Sequence, residues 1–382
     1  MTLSCAAIDW RPALFRAFGI GRYVRNLVEG MLEADPKLRL ELLAVFLRGR
    51  TRRLREFPKP DDPRAQVYGM SLPARAWPFL ARFGLGADVM LRDAQLLHDT
   101  DYFATPCRRL PRVATLYDTA WLPHLGHVDL AQSKKMADAV VRLLDGAPEI
   151  VTISQSARIE LCEALRLRPE RVHVTPLAPD PIFRRPASSE VRAAARALHR
   201  FDAPYVIHLG TLEPRKNLKT LIRAHAAAAV KVPHLGLILL GRRGWRHEEV
   251  IAEIAASPAR DDIRWLGDVS DPVCAALVRD AAALAFPTLH EGFGLPAVEG
   301  LAAGVPVVLS DLAVLREVAG TEADYVPATD VGAWTEALVR AVTDDDRRRR
   351  ASGPGVARAD GFSWKATGAA TISAYRSRLG RA

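Results

Sequence analysis

The sequence predicts an α/β protein of two domains, and three observations carry that prediction. From Ala203 onward, short apolar runs alternate with helix-length amphipathic stretches, the pattern of a parallel sheet wound with helices. The first half repeats the alternation more loosely. Between the halves, Pro176, Pro179, Pro181 and Pro186 restrain themselves and the residues before them, so this stretch reads as a boundary. At 382 residues, 49% of them hydrophobic, the chain is long enough for two cores of ordinary size.

In the second half the strand candidates are 205–209, 237–240, 263–266, 284–286 and 305–309, with helices starting near Asn217, Glu248, Asp271 and Leu295. In the first half they are 3–8, 42–47, 96–98, 113–117, 150–153 and 172–175, with helices near Ile20 and Ser154. The tail from Phe362 to Leu379 reads as one amphipathic helix capped by Ser363. The expected organisation is therefore an N-terminal domain over 1–180, a linker over 181–202, a second domain over 203–361 and a terminal helix over 362–382.

Bulk features exclude several classes. There is no run of about 18 apolar residues and no basic segment ahead of an apolar one at the N-terminus, so the chain reads as soluble, unexported and cytoplasmic. Cys5, Cys107, Cys162 and Cys274 are scattered, without a Cys-x-x-Cys pair or a nearby His at ligand spacing, so neither a disulfide framework nor a structural zinc is expected. The net charge of +9 is carried mostly by Arg. Its aromatics are not interleaved with basic residues, which argues against nucleic acid as a partner. The dense cluster Arg48, Arg50, Arg52, Arg53 and Arg55 reads as a solvated face, with an anionic membrane contact as the alternative.

Three motifs carry chemistry. In Glu291-Gly-Phe-Gly-Leu-Pro-Ala-Val-Glu299, the turn Gly292-Phe293-Gly294 leads into a helix opened by Leu295 and Pro296, a setting in which free backbone N–H groups meet phosphate or sugar oxygens. Glu291 is expected in the loop and Glu299 in the first helical turn, both carboxylates facing the carboxyl ends of the strands. The plain alternative is a helix start with two exposed acids. In Leu209-Gly210-Thr211-Leu212-Glu213-Pro214-Arg215-Lys216-Asn217, a guanidinium and an ammonium stand side by side at a second strand-to-helix turn, suited to a diphosphate. Solvated charges at a helix entry are an equal reading of that motif alone. In Gly19-Ile20-Gly21-Arg22-Tyr23, glycines open a helix after the first strand and let backbone approach a ligand. The third glycine of a dinucleotide fingerprint is missing, which counts against NAD or FAD.

In this order, and over nearly the whole chain, these motifs resemble glycosyltransferase family 4, the retaining transferases of the GT-B fold, in its mannosyl-type branch. Residues 210–218 and 291–307 match the family's C-terminal motifs, and residues 19–23, 152–158 and 175–180 agree with its N-terminal half. The resemblance implies two Rossmann-like domains facing a central cleft, with the last helix crossing back to the first domain. It assigns Arg215 and Lys216 to the donor diphosphate. Glu291, with the backbone of Phe293 and Gly294, falls to the transferred sugar, and Glu299 to the ribose. Gly19 and Gly21 fall to the phosphates from the other domain, and Gly210, Thr211 and Leu295 to the donor pocket. One departure stands out: where many members carry His-Asp, this chain has Tyr117-Asp118. A phenol titrates near pH 10, so it is a poor proton carrier at neutral pH. Asp118 is retained.

The implied reaction moves a hexosyl group, mannosyl first, from a GDP- or UDP-linked sugar to a hydroxyl of a glycan or lipid-linked acceptor of surface polysaccharide, with retention. No cofactor and no metal are expected, because Asp344-Asp345-Asp346 lies in a late surface-type segment. The acceptor falls to N-domain loops such as 58–77, which carry no readable code. A sugar-nucleotide epimerase or phosphorylase on the same fold, and a non-catalytic partner subunit, stay open as alternatives. The sequence assigns no oligomeric state.

Overall fold

The computed structural model describes residues 3–15, 19–44, 59–69, 86–146 and 148–380. The Arg48 to Arg55 cluster and, of the 58–77 segment, residues 58 and 70–77 lie outside them. The chain forms two units. Unit 1 comprises 1–121, 130–177 and 363–382, and unit 2 comprises 122–129 and 178–362.

Among the described residues, unit 1 holds a seven-stranded parallel sheet in the order β3-β2-β1-β4-β5-β6-β7. Its strands are β1 (Cys5–Asp9), β2 (Arg39–Leu43), β3 (Ala65–Tyr68), β4 (Leu97–Asp99), β5 (Arg112–Thr115), β6 (Glu149–Thr152) and β7 (Val172–Val174). The central strands are buried on both faces, so they read as apolar runs such as Cys5 to Ile8 in β1. The edge strand β3 alternates and is only half-buried, which is why hydropathy did not mark it.

Unit 2 holds a six-stranded parallel sheet in the order β10-β9-β8-β11-β12-β13. Its strands are β8 (Tyr205–Leu209), β9 (Gly236–Leu240), β10 (Ile263–Leu266), β11 (Ala283–Phe286), β12 (Val307–Ser310) and the short β13 (Asp324–Val326). Register is fixed by apolar pairs such as Val206 with Leu237 and Ala285 with Val308. Around it the helix Leu218–Lys231 packs against the helix Val331–Thr343, with Leu221, Leu237, Trp334 and Leu338 fully buried in one core. In both sheets the order reverses between the first and fourth strands of the unit, the position where open α/β sheets bind ligands.

The segment expected as a linker over 181–202 is structured. It forms a 3-10 turn at Pro181–Arg184 and a helix at Ser189–His199, and both belong to unit 2. Asp180 caps the turn by accepting from Ile182 N at 3.0 Å, and Ser188 Oγ accepts from Val191 N at 3.4 Å. The prolines therefore punctuate a helical connection instead of loosening it.

The last helix, Trp364–Gly380, packs on the Ile20–Ala34 helix of unit 1, with Ser363 Oγ accepting from Ala366 N at 3.2 Å. Its buried face is Thr367, Gly368, Thr371, Ile372, Ala374, Tyr375 and Leu379, a row of small and hydroxyl residues and not the apolar stripe that an amphipathic helix implies. The hydroxyls are satisfied: Thr367 donates to the Pro176 carbonyl at 2.5 Å, and Tyr375 OH meets His98 Nδ1 at 2.7 Å. His98 Nε2 in turn meets Thr115 Oγ1 at 2.7 Å, so a buried polar chain runs from the last helix to β5. No helix among the described residues is long and apolar enough to cross a membrane.

Candidate functional site

The site begins where β8 and β11 end, on either side of the reversal in strand order of unit 2. In open α/β sheets such a reversal, outside the carboxyl ends of the strands, is where ligands bind. The chain leaves β8 through Gly210 at φ 155°, where a Cβ would sit 2.9 Å from His208 Nε2. Only glycine fits there. Thr211 and Leu212 follow, and the 3-10 turn Pro214–Lys216 presents Arg215 and Lys216 before the helix Leu218–Lys231 begins.

That turn is locked to the loop after β11. Leu289 N donates to the Arg215 carbonyl at 2.8 Å, and Thr288 Oγ1 donates to the Arg215 and His290 carbonyls at 3.2 and 3.0 Å. Arg215 Nη1 donates to the His290 carbonyl at 2.8 Å and to Glu291 Oε1 at 2.9 Å, while Nη2 reaches Glu213 at 2.9 Å. Lys216 Nζ donates to the same Glu291 Oε1 and lies 4.9 Å from the centre of the Phe286 ring. Two cations thus converge on one carboxylate oxygen.

The electrostatics of the cluster are asymmetric. Burial pushes the Glu291 carboxyl up, but the charges of Lys216 and Arg215 outweigh it and hold the group down at about 2. The Lys216 ammonium is lowered: burial acts first, the like charge of Arg215 adds to it, and Glu291 and Glu213 only partly compensate. Glu291 is therefore a fixed hydrogen-bond acceptor and not a proton donor near neutrality.

Beyond Glu291 the chain turns at Gly294, φ 94°, where a Cβ would lie 2.5 Å from Leu315 Cδ2, and the helix Leu295–Ala302 starts there with Pro296 as its second residue. Phe293 anchors the turn from below, buried with its ring edge-on to Phe362 at 5.7 Å. In that first turn Pro296 has no N–H to offer, and Ala297 N donates to the Gly294 carbonyl at 2.9 Å. Glu299 lies in the second turn and not in the first, because the helix starts at Leu295; its side chain is buried.

Unit 2 thus gathers Arg215, Lys216, Glu291, Gly210, Thr211, Phe293, Gly294, Leu295 and Glu299 on the loops after β8 and β11 and the helix that follows. The other expected residues belong to unit 1. Gly19, φ 61°, precedes the Ile20–Ala34 helix, and Gly21 is buried in its first turn. Tyr117 is buried, its hydroxyl donates to the Thr100 carbonyl, and its ring lies edge-on to Tyr23 at 5.4 Å. Asp118 Oδ1 accepts from Ala120 N at 3.0 Å. The Asp344 to Asp346 run starts a helix, with Asp344 Oδ1 accepting from Asp346 N at 2.9 Å.

Several residues that shape the site carry weak sequence signals. Asn217 sits at φ 53°, and its amide donates to the Pro287 and Ala328 carbonyls at 3.1 and 2.6 Å, stitching the ends of β8, β11 and β13. An Asn directly before a helix after a 3-10 turn is the signal that could have found it, since Asn tolerates the left-handed region. Thr288, His208 and the stacked pair His127 and His290, with ring centres 5.3 Å apart, have no local signature. Arg215 for Thr288, Ala285 for His208 and His127 for His290 are partners distant in sequence.

Comparison with known proteins agrees with this fold. Residues 192–354 match the family model described as glycosyl transferases group 1. The O-antigen chain mannosyltransferase B of Escherichia coli is 30% identical over 96% of this chain and 97% of that protein. The MMP alpha-(1->4)-mannosyltransferase of Mycolicibacterium hassiacum is 31% identical over 61% of this chain and 55% of that protein. Among solved structures, sucrose-phosphate synthase from Thermosynechococcus elongatus superposes with a TM-score of 0.76 at 19% identity, covering 100% of both chains. HepE from Anabaena, in complex with UDP-glucose, gives 0.74 at 17% identity over 97% of this chain and 100% of that one.

Proposed function

The chain belongs to the group 1 glycosyltransferases, and from that membership we propose that it moves a mannosyl group from a nucleoside diphosphate sugar to a hydroxyl of a surface glycan, retaining the anomeric configuration. GDP-mannose is the first donor and a UDP-hexose the second. The observation that carries the reading is the convergence of Arg215 and Lys216 on Glu291 Oε1 at the reversal of the unit 2 sheet. Both full-length and partial relatives named above are mannosyltransferases, which supports the sugar.

In this reading the glycosidic C–O bond breaks and its electron pair goes to the leaving diphosphate. Arg215 and Lys216 turn from Glu291 to the growing phosphate charge, the largest contribution such a site can make. The acceptor oxygen bonds to the anomeric carbon on the same face, and its proton passes to the departing phosphate. Two side-chain cations fill the place of a divalent ion, so the reaction runs without metal or cofactor. Glu291 stays ionised and accepts from sugar hydroxyls, Glu299 accepts from the ribose, and Gly210, Thr211, Phe293, Gly294 and Leu295 line the donor. The family resemblance gives Gly19 and Gly21 to the phosphates and the Tyr117-Asp118 position to the donor sugar, with Asp118 as the acting group because the Tyr117 hydroxyl donates to the Thr100 carbonyl. The enzyme works in the cytoplasm, peripheral to the membrane where a lipid-linked acceptor requires it.

A panel of GDP-, UDP-, ADP- and dTDP-sugars tests the donor by thermal shift, since a ligand of the folded state raises its apparent stability. GDP-mannose is expected to shift the transition most, and Lys216→Ala to lower turnover by about 100-fold or more without lowering protein yield. No shift with any sugar nucleotide sinks the assignment.

A further inference from the structure

His208, at the end of β8, has no place in the assignments above, and its ring is fully buried. Nδ1 lies 3.1 Å from the Ala285 carbonyl, which can only accept, so Nδ1 carries the proton. Burial, then the Lys216 charge, hold the imidazole down at about 3, and it is neutral near pH 7. Nε2 is therefore a bare lone pair, and it is buried without a partner among the described residues. Such acceptors are uncommon and call for a reason.

The geometry supplies one. Nε2 and Lys216 Cε lie 2.9 and 3.4 Å from the point where a Gly210 Cβ would sit, so the missing side chain leaves the two facing one space. Phe286 floors that space: the His208 ring stacks on it at 5.8 Å and 20°, and Lys216 Nζ sits over it at 4.9 Å. An ammonium has three N–H groups, and among the described residues Lys216 hydrogen-bonds Glu291 alone. When Lys216 turns to a phosphate it gives up its bond to Glu291, and the ammonium needs a second acceptor behind it.

We propose that His208 is a positioning residue for Lys216, its Nε2 lone pair taking one ammonium N–H when Lys216 swings from Glu291 to the donor diphosphate. This rests on the reading of Lys216 as a diphosphate ligand. The residue touches neither substrate nor reacting atoms; it fixes where the charge is delivered. The other groups acting on Lys216 are Arg215, Glu291 and Glu213, all on the same two loops.

The test is GDP binding by calorimetry between about pH 7 and 9.5, with UDP in parallel, for the wild type and for His208→Phe, His208→Asn and His208→Gln. His208→Phe is expected to weaken binding about tenfold and to move its alkaline decline to lower pH by about one unit, because the ammonium loses an acceptor. His208→Asn, which keeps a donor for Ala285 but no acceptor at the Nε2 position, is expected to follow it. His208→Gln, with an oxygen able to reach that position, recovers most of the loss. The position of the alkaline decline does not depend on the folded fraction, so a destabilised variant is still informative. Wild-type affinity and an unmoved decline in both Phe and Asn variants overturn the inference alone. A wild type that binds neither GDP nor UDP overturns the donor reading and this inference with it.

Discussion

Gly30 and Gly368 bring two helices of unit 1 together backbone to backbone. A Cβ on Gly30 would lie 2.0 Å from the Trp364 carbonyl oxygen, and one on Gly368 would lie 2.4 Å from the Gly30 carbonyl carbon. Neither obstacle is a side chain that can swing away. The crossing also sets the polar chain from Tyr375 through His98 to Thr115 at hydrogen-bond distance.

Gly368→Ala is therefore expected to force the helices apart and destabilise unit 1 by about 3 kcal/mol, at the upper end of overpacking costs. Urea unfolding followed by tryptophan fluorescence, together with limited proteolysis of the tail, reads the effect. An unchanged midpoint with a protected tail would contradict the close approach.

What the sequence reveals and what it hides divides on the range of the contacts. Arg215, Lys216 and Glu291 are legible because strand, glycine turn and helix entry are all local, and two such turns each carrying charge point to one site. The helix Ser189–His199 was legible too, through Ser188 ahead of Glu190 and Val191, but the prolines before it outweighed that signal. The last helix hides its buried face, since Thr367, Thr371 and Tyr375 are core residues only through partners at Pro176 and His98. His208 and Asn217 fall in the same class: the carbonyls that they bond at Ala285, Pro287 and Ala328 lie 70 or more residues away. No local period encodes that.

Tyr117 is the chain's departure from the family pattern, and its hydroxyl is spent on the Thr100 carbonyl. Tyr117→Phe is expected to cost about 1 kcal/mol of stability and to leave donor turnover within about threefold of wild type. Turnover measured beside the melting temperature separates the two effects. A loss beyond about tenfold at intact stability would show that the hydroxyl acts on the substrate.

The pairing of Glu291 with Lys216 and Arg215 makes stability depend on acid. The folded carboxyl is held at about 2 against an ordinary 4.5, so its contribution is present above 4.5 and is lost as pH falls toward 2. In that window the unfolded chain binds up to one more proton than the folded one at this site. Glu291→Gln is expected to flatten the acid side of the stability profile by that one proton, seen in urea midpoints at stepped pH. It also leaves Lys216 and Arg215 without their shared anion, so the variant starts lower at neutral pH. Parallel acid slopes in the two proteins would count against the ion pair.

Asn217 separates backbone strain from stitching. Its φ of 53° suits Gly better than Ala, while its amide joins the loops at Pro287 and Ala328 and its carbonyl oxygen takes Thr220 Oγ1 at 2.8 Å. Asn217→Gly removes only the hydrogen bonds, for an expected loss of about 2 kcal/mol. Asn217→Ala adds the left-handed strain and is expected to lose about 1 kcal/mol more. Both free the turn that carries Lys216, so nucleoside diphosphate affinity should fall in each by about the same factor. Denaturant unfolding and binding measured on the two variants resolve the parts. If Ala and Gly were equally stable, strain would not matter at 217; if affinity stayed at the wild-type value in both, Asn217 would hold the fold without holding the site.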